Sequence, residues 1–338
     1  MNQSYSYSDI FLKPTQKSEI ERREDVDTST MFLGQKISLP VVLAPMQTVV
    51  GKEMAVAIDS LGGISFLPRT DTVKTDLDTY DYLVTMADSK SIIPSIPAVN
   101  GLCRAQEYVS MGADSICIDL ANGFSIVAER AIKEIQDKFP NIKIITGNVG
   151  SLEGYEFLSD LEVSAVRVGI GNGQMCSTSI QTGVSGGNAS LIRQIAEYRE
   201  AMSSITSMPV IIADGGIHNS GDIVKAISLG ADICMCGSLF GGCEESPGPV
   251  IKFQNRLYKQ MAGQASFAVK RSDDHIEGDD TLVPYIGKVK KLWNKLADGI
   301  SSACSYMNCK SLENLRFLPD ENFGFLSAGA KIERMVQK

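Results

Sequence analysis

Residues 208–238, MPVIIADGGIHNSGDIVKAISLGADICMCGS, carry the unit from which the fold can be read. MPVIIADGG is apolar without alternation, as in strands covered on both faces. Gly215 and Gly216 break the run. Ser220 is the expected cap of a helix whose Ile223, Val224 and Ile227 share one face, and Gly230 ends it. DICMCGS then begins a second apolar run. Strand, turn, helix and strand in that order build a parallel α/β sheet.

The phrase LGADICMCG repeats the earlier MGADSICID, so the unit recurs. Working outward, the apolar runs fall at 39–46, 62–68, 91–98, 114–120, 142–148, 163–169, 208–216 and 232–238. Helical patterns lie between them. Ala128, Ala131, Ile132, Ile135 and Phe139 share a face before Pro140 stops the segment. Strand and helix repeated eight times predict a (β/α)8 TIM barrel, α/β in class, forming a single domain over 1–338.

Composition narrows the partners. The 338 residues carry a net charge of −8, which disfavours a nucleic-acid groove or an anionic membrane surface. No apolar run approaches the roughly 18 residues of a membrane span. MNQSYSYSDIFLKP has neither the basic head nor the apolar stretch of a secretory signal, so a cytoplasmic protein is expected. The eight cysteines form no C-x-x-C pair and suit a reducing compartment, most of them as small core residues. The only two histidines, His218 and His275, have no partners at zinc-ligand spacing. Trp293 in VKKLWNKLADGI reads as packing on an amphipathic helix.

Barrel active sites lie where the strands end. There the sequence puts Met46-Gln47-Thr48, Arg69, Asp119 with Asn122, Asn148, Asp214-Gly215-Gly216 and Gly237-Ser238. The sixth strand runs into VRVGIGNGQMCSTSIQTGVSGG, 166–187. Glycines at 169, 171 and 173 let that loop turn its amides or carbonyls toward one point. Cys176 then sits where a thiolate is accessible, with the Thr178 hydroxyl beside whatever it attacks. The competing reading is a glycine-rich loop whose cysteine merely packs. Gly216, Gly237 and Ser238 match a phosphate cradle after the last two strands, with Asp214 accepting from ribose hydroxyls. Plain tight turns are the alternative.

GIGNGQMCSTSIQTGV resembles the Gly-x-Gly-Ser-x-Cys-x-Thr loop of the IMP dehydrogenase and GMP reductase family. IADGGIHNSGDIVKAISLGADICMCGSLFGGCEESPG is similar to that family's ribose and phosphate segment, and YSDIFLKP, APMQTVVGKEMA, IDLANGFS and IEGDDTLVPYIGKV follow in its order. The resemblance implies a barrel that binds a purine nucleotide, uses a nicotinamide cofactor and assembles as a homotetramer. It implies no inserted regulatory (CBS) domains, a short active-site flap at 259–282 and a C-terminal tail at 315–338.

It also assigns roles. Cys176 attacks purine C2, and the carbonyls of Gly171, Gly173 and Cys176 hold a monovalent cation, potassium in kind. Thr178 and Glu277 relay protons, Asp119 handles the leaving ammonia, and Arg69 stands where the reductases have a catalytic lysine. Met46, Asn148, Asp214, Gly216, Gly237, Ser238, Gln174, Gln264 and Ala265 fall at substrate-binding positions. Asp119, Asn122 and Gly123 fall at those of the cofactor, NADPH or otherwise NADH/NAD.

The flap segment MAGQASFAVKRSDDHIE has no Arg-Tyr pair of the kind with which the dehydrogenases activate water. That and IDLANGFS favour NADPH-dependent reductive deamination of GMP, or of an analogous nucleotide, to the IMP-type product. Arginine gives up no proton at ordinary pH, so Arg69 is expected to position rather than to transfer. Gln47, Gln174, Met261, Gln264, Ala265 and Asp274 also depart from the family pattern, which hints at a modified purine or another phosphorylation state. The C-terminal SAGAKIERMVQK and GSLFGGCEESPG lean toward the dehydrogenases. NAD-dependent oxidation of an IMP-like substrate, a non-catalytic nucleotide-binding homologue and a flavin-dependent barrel therefore stay open.

Overall fold

The structure, a computed structural model, describes residues 4–336 apart from 71, 264–265 and 267–277, with the backbone alone described at 334–336. Eight strands close into one parallel barrel in chain order: β1 (Val41–Leu43), β2 (Ile64–Leu67), β3 (Ile92–Pro97), β4 (Ser115–Asp119), β5 (Lys143–Val149), β6 (Ala165–Val168), β7 (Val210–Asp214) and β8 (Ile233–Cys236). Cys234 of β8 lies opposite Val41 of β1, which completes the ring. Seven strands fall inside their apolar runs, and β5 outruns the 142–148 run by one residue, Val149.

The outer layer is α1 (Lys52–Ser60), α2 (Val73–Met86), α3 (Gly101–Ser110), α4 (Ile126–Lys138), α5 (Leu152–Asp160), α6 (Asn188–Met202), α7 (Ser220–Ser228) and α8 (Val289–Tyr306). Ala128, Ala131, Ile132 and Ile135 of α4 are buried as their spacing requires. The cap of α7 differs from expectation. Asn219, not Ser220, accepts the Asp222 N–H, at 3.1 Å. Asn219 has the extended backbone of a cap, φ −161° and ψ 174°, whereas Ser220 is already the first residue of the helix.

Period-2 geometry divides the strand residues between two cores. Val166, Val168, Ile211, Ala213, Ile116 and Ile118 face the helices. Val42, Ile64, Phe66, Ile93, Cys117, Ile145, Ala165, Ile212, Ile233 and Met235 fill the interior. A hairpin, Thr30–Phe32 with Gln35–Ile37, presses Phe32 and Ile37 into the same interior cluster and so plugs the N-terminal end. The same alternation carries Asp119, Arg167 and Asp214 inward at the other end. Burial pushes the Cys117 thiol up to about 11, an inert core group below that polar layer.

After the barrel, β9 (Val250–Phe253), β10 (Arg256–Ala262) and β11 (Asp280–Pro284) form an antiparallel sheet. Ile10–Leu12 pairs with Phe323–Phe325, tying the two terminal segments together ahead of α9 (Ala328–Val336).

Candidate active site

The inward residues at the C-terminal ends of the strands form one ion-paired layer. Arg167, 8% exposed, projects from β6 across the mouth. Its Nη1 donates to Asp119 Oδ1 at 2.7 Å, and its Nε and Nη2 reach Asp214 Oδ2 at 3.0 and 2.9 Å. Burial alone would push the guanidinium's pKa down, but Asp214 and Asp119 outweigh it and hold it up. Arg69, after β2, brings its Nε to 3.4 Å from the other Asp119 oxygen. Asp119 thus faces a guanidinium at each oxygen, and neither is a proton relay.

Arg167 was not singled out in the sequence. Its only signal was a charge inside the run VSAVRVG. A charge there must be paired, and the pairing brings Asp119 and Asp214 to a common partner.

The cysteine loop hangs from this layer. Asn148 Nδ2 donates to Asp214 Oδ2 at 2.8 Å and to the Gly169 carbonyl at 2.7 Å, at the loop's entrance. Asn172 and Asn188, also missed, pin its far side. Asn172 Nδ2 donates to Gly186 O and Asn188 Oδ1, at 2.7 and 2.5 Å, and Asn188 Nδ2 donates to Gly215 O at 2.7 Å. Gly215 needs its φ of +87°, and a Cβ there would meet Gly173 N at 3.0 Å. The Gly-Gly turn and the cysteine loop therefore lie against each other.

Cys176 is half-buried, and its thiol donates to Thr178 Oγ1 at 3.1 Å. It is thus not a buried packing group, unlike the six buried cysteines. Its N–H donates to Gly173 O at 3.0 Å, and Gly171 has a φ of +76°. A carbonyl accepts two bonds, so this contact does not saturate the Gly173 oxygen. The roots of the flap reach the same loop. Gly278 bridges to Cys176, and Asp279 N–H donates to Met175 O at 3.0 Å. Glu277, Gln264 and Ala265 lie outside the described residues, as does Asp274.

Met46 lies over Gly237, where any Cβ would strike its sulfur, and Ser238 and Gly216 are half-buried at neighbouring strand ends. Gln47 Nε2 donates to Arg69 O at 3.1 Å. Thr48 Oγ1 exchanges hydrogen bonds with the Ala262 backbone at 3.0 and 3.2 Å. Gln174 is exposed beside Cys176. Asn122 is exposed, with its side chain accepting the Phe124 N–H at 3.1 Å. Gly123 is buried, and its smallness serves close approach to Gly147, whose Cα would lie 2.9 Å from an added Cβ. Phe124 and Ile126, 48% and 56% exposed, give this rim an apolar surface. Among the described residues no cluster of acidic, cysteine and histidine side chains suits a metal ion, and no helix is long and apolar enough to cross a membrane.

The arrangement joins a nucleophile-bearing loop, glycine turns able to face an anion and a charged layer. Residues 4–336 match the family described as "IMP dehydrogenase / GMP reductase domain". A GMP reductase of Ligilactobacillus salivarius is 35% identical over 92% of this chain and 94% of its own length. Those of Leptothrix cholodnii and Lactobacillus acidophilus are 33% and 32% identical, over 92% and 94% of this chain and 94% of each relative.

Proposed function

The chain belongs to the IMP dehydrogenase / GMP reductase family, and on that premise we propose that it is a nicotinamide-dependent oxidoreductase that deaminates GMP, or a close analogue, at C2. The observation that carries the reading is the Cys176 thiol, half-buried at the barrel rim, 3.1 Å from Thr178 Oγ1 and on the same face as the Asp119–Arg167–Asp214 layer.

In the proposed course, the thiol proton passes by way of Thr178 toward Glu277 and the sulfur bonds to C2. The exocyclic C2–N bond breaks, and ammonia leaves with the proton it needs. Asp119, Asn122 and Gly123 would hold a reduced nicotinamide, taken as NADPH, whose chemistry would be to supply a hydride to C2. The C–S bond then breaks, the sulfur keeps the electron pair, and the IMP-type product is released. Covalent attachment divides one difficult displacement into two easier steps.

Gly216, Gly237 and Ser238 would receive the phosphate by backbone amides. Both Arg167 and Asn148 use Asp214 Oδ2, so Oδ1 is the oxygen assigned to a ribose hydroxyl. Phe124 and Ile126, beside Asp119 and Asn122, supply an apolar edge for the nicotinamide cofactor. The carbonyls of Gly171, Gly173 and Cys176 are the proposed seat of a potassium ion. Val250, Phe253, Leu257 and Leu282, exposed on the β9–β11 sheet, support assembly as a homotetramer.

The test is turnover of GMP with NADPH, followed by loss of reduced-nicotinamide absorbance and by released ammonia, beside IMP with NAD. Ammonia equal to cofactor consumed is expected in the first mixture only. Turnover in the second alone would replace reduction by oxidation, and turnover in neither would sink both.

A further inference from the structure

Outside the mouth, a second buried ion pair reaches toward it. Asp76 on α2 is 4% exposed. Its carboxylate accepts from the Thr70 N–H at 3.0 and 3.1 Å, from Thr70 Oγ1 at 2.6 Å and from Arg104 Nη1 on α3 at 2.7 Å. Arg104 Nη1 and Nη2 in turn donate to the Thr70 carbonyl at 3.4 and 3.3 Å. The N–H, the hydroxyl and the carbonyl of one loop residue are all held by two charges on two neighbouring helices. Burying charges is costly unless every partner is in place, and a turn that only joins a strand to a helix is ordinarily left to water.

The residue so held follows Arg69, whose own carbonyl accepts from Gln47 at 3.1 Å. We propose that Asp76 and Arg104 are a positioning pair for the reaction, clamping Thr70 so that the Arg69 guanidinium stands against Asp119 across the mouth. The inference rests on the reading of that mouth as the reaction site. Arg69 ends in a long flexible side chain, so its aim depends on where its backbone is fixed. A misplacement of about 1 Å at such a group lowers turnover by roughly 100-fold.

The test is a double-mutant cycle. Asp76→Asn and Arg104→Gln are made singly and in an Arg69→Ala background, and GMP turnover with NADPH is measured together with Tm. Each single change is expected to lower kcat by roughly 10- to 100-fold while nucleotide KM stays within about threefold. In the Arg69→Ala background neither should lower kcat further, and Arg104→Lys should recover part of the loss. Equal falls in both backgrounds overturn the proposal in favour of a purely structural pair. Should the wild type not turn over GMP, the functional reading fails and the crystal structure of Asp76→Asn decides the positioning. Arg69 Nε still within about 4 Å of Asp119 overturns it, and displacement supports it. If Asp76→Asn does not fold, Arg104→Gln, which leaves the Thr70 N–H its acceptor, carries the same measurements.

Discussion

The two halves of the barrel interior are built by the same strands in the same period and differ in what they bury. At the N-terminal half Ile64, Ile93, Ile145, Ile212 and Ile233 meet the hairpin residues Phe32 and Ile37 in a buried apolar cluster. At the C-terminal half the inward places belong to Asp119, Arg167 and Asp214, held by mutual ion pairs. Removing apolar area from water stabilises the first half without needing exact partners. The second holds charges that are tolerable only while each remains paired. The lower half should therefore govern stability and the upper half chemistry.

The comparison breaks most sharply at Cys176. Cys176→Ser is expected to lower turnover by at least about 1,000-fold while Tm barely moves, because the side chain is half-buried and nearly the same size. A variant as active as wild type would detach the chemistry from this loop. Arg167→Leu tests the upper half's dependence on pairing. It removes the guanidinium that Asp119 and Asp214 share, leaving them Arg69 and Asn148, and should cost about 3 kcal/mol in urea unfolding, with loss of activity. Stability unchanged there would mean that Asp119 and Asp214 find water instead.

Phe32→Ala probes the lower half from beneath. Phe32 is fully buried in the plug, and its loss is expected to cost about 3–4 kcal/mol with kcat within about twofold of wild type. A large fall in kcat at unchanged KM would show that the halves are coupled. The smallest effect is expected in the first turn of α7. Burial works against the Asp222 carboxylate, but His218 and Lys225 outweigh it and keep its pKa below the ordinary aspartate range. A depressed folded pKa contributes stability above the unfolded value of about 3.9, and that contribution is lost as pH falls through the folded value. Unfolding measured from pH 7 downward should show a shallower acid-side decline for Asp222→Asn than for wild type.

Much of the fold was legible because burial on both faces writes itself as largely apolar runs, and each of the eight strands overlaps one of them, β5 alone running one residue past its end. The helix face of α4 was equally legible from its spacing. The loop holding Cys176 and Thr178 could be read because its glycines are few-purpose residues at a strand end. Arg167, Asn172 and Asn188 could not. Each acts on partners distant in the chain, 47 residues away for Arg167 and Asp214, and no local pattern announces a partner that only closure supplies. Asn219 shows a smaller limit, since Asn219 and Ser220 are both good capping types and the difference lies in which of them keeps an extended backbone ahead of the helix.

Sequence alone determined that eight covered strands alternate with amphipathic helices and that Cys176, Asp214 and Gly237 stand at or beyond the ends of three of them. It left open which alternate residues of each strand turn inward, because a strand apolar on both faces carries no contrast to mark its inner side. Closing the sheet decided that, since side chains that alternate along a strand must divide between the ring's interior and its helices, and with it came the arginine that joins the two aspartates.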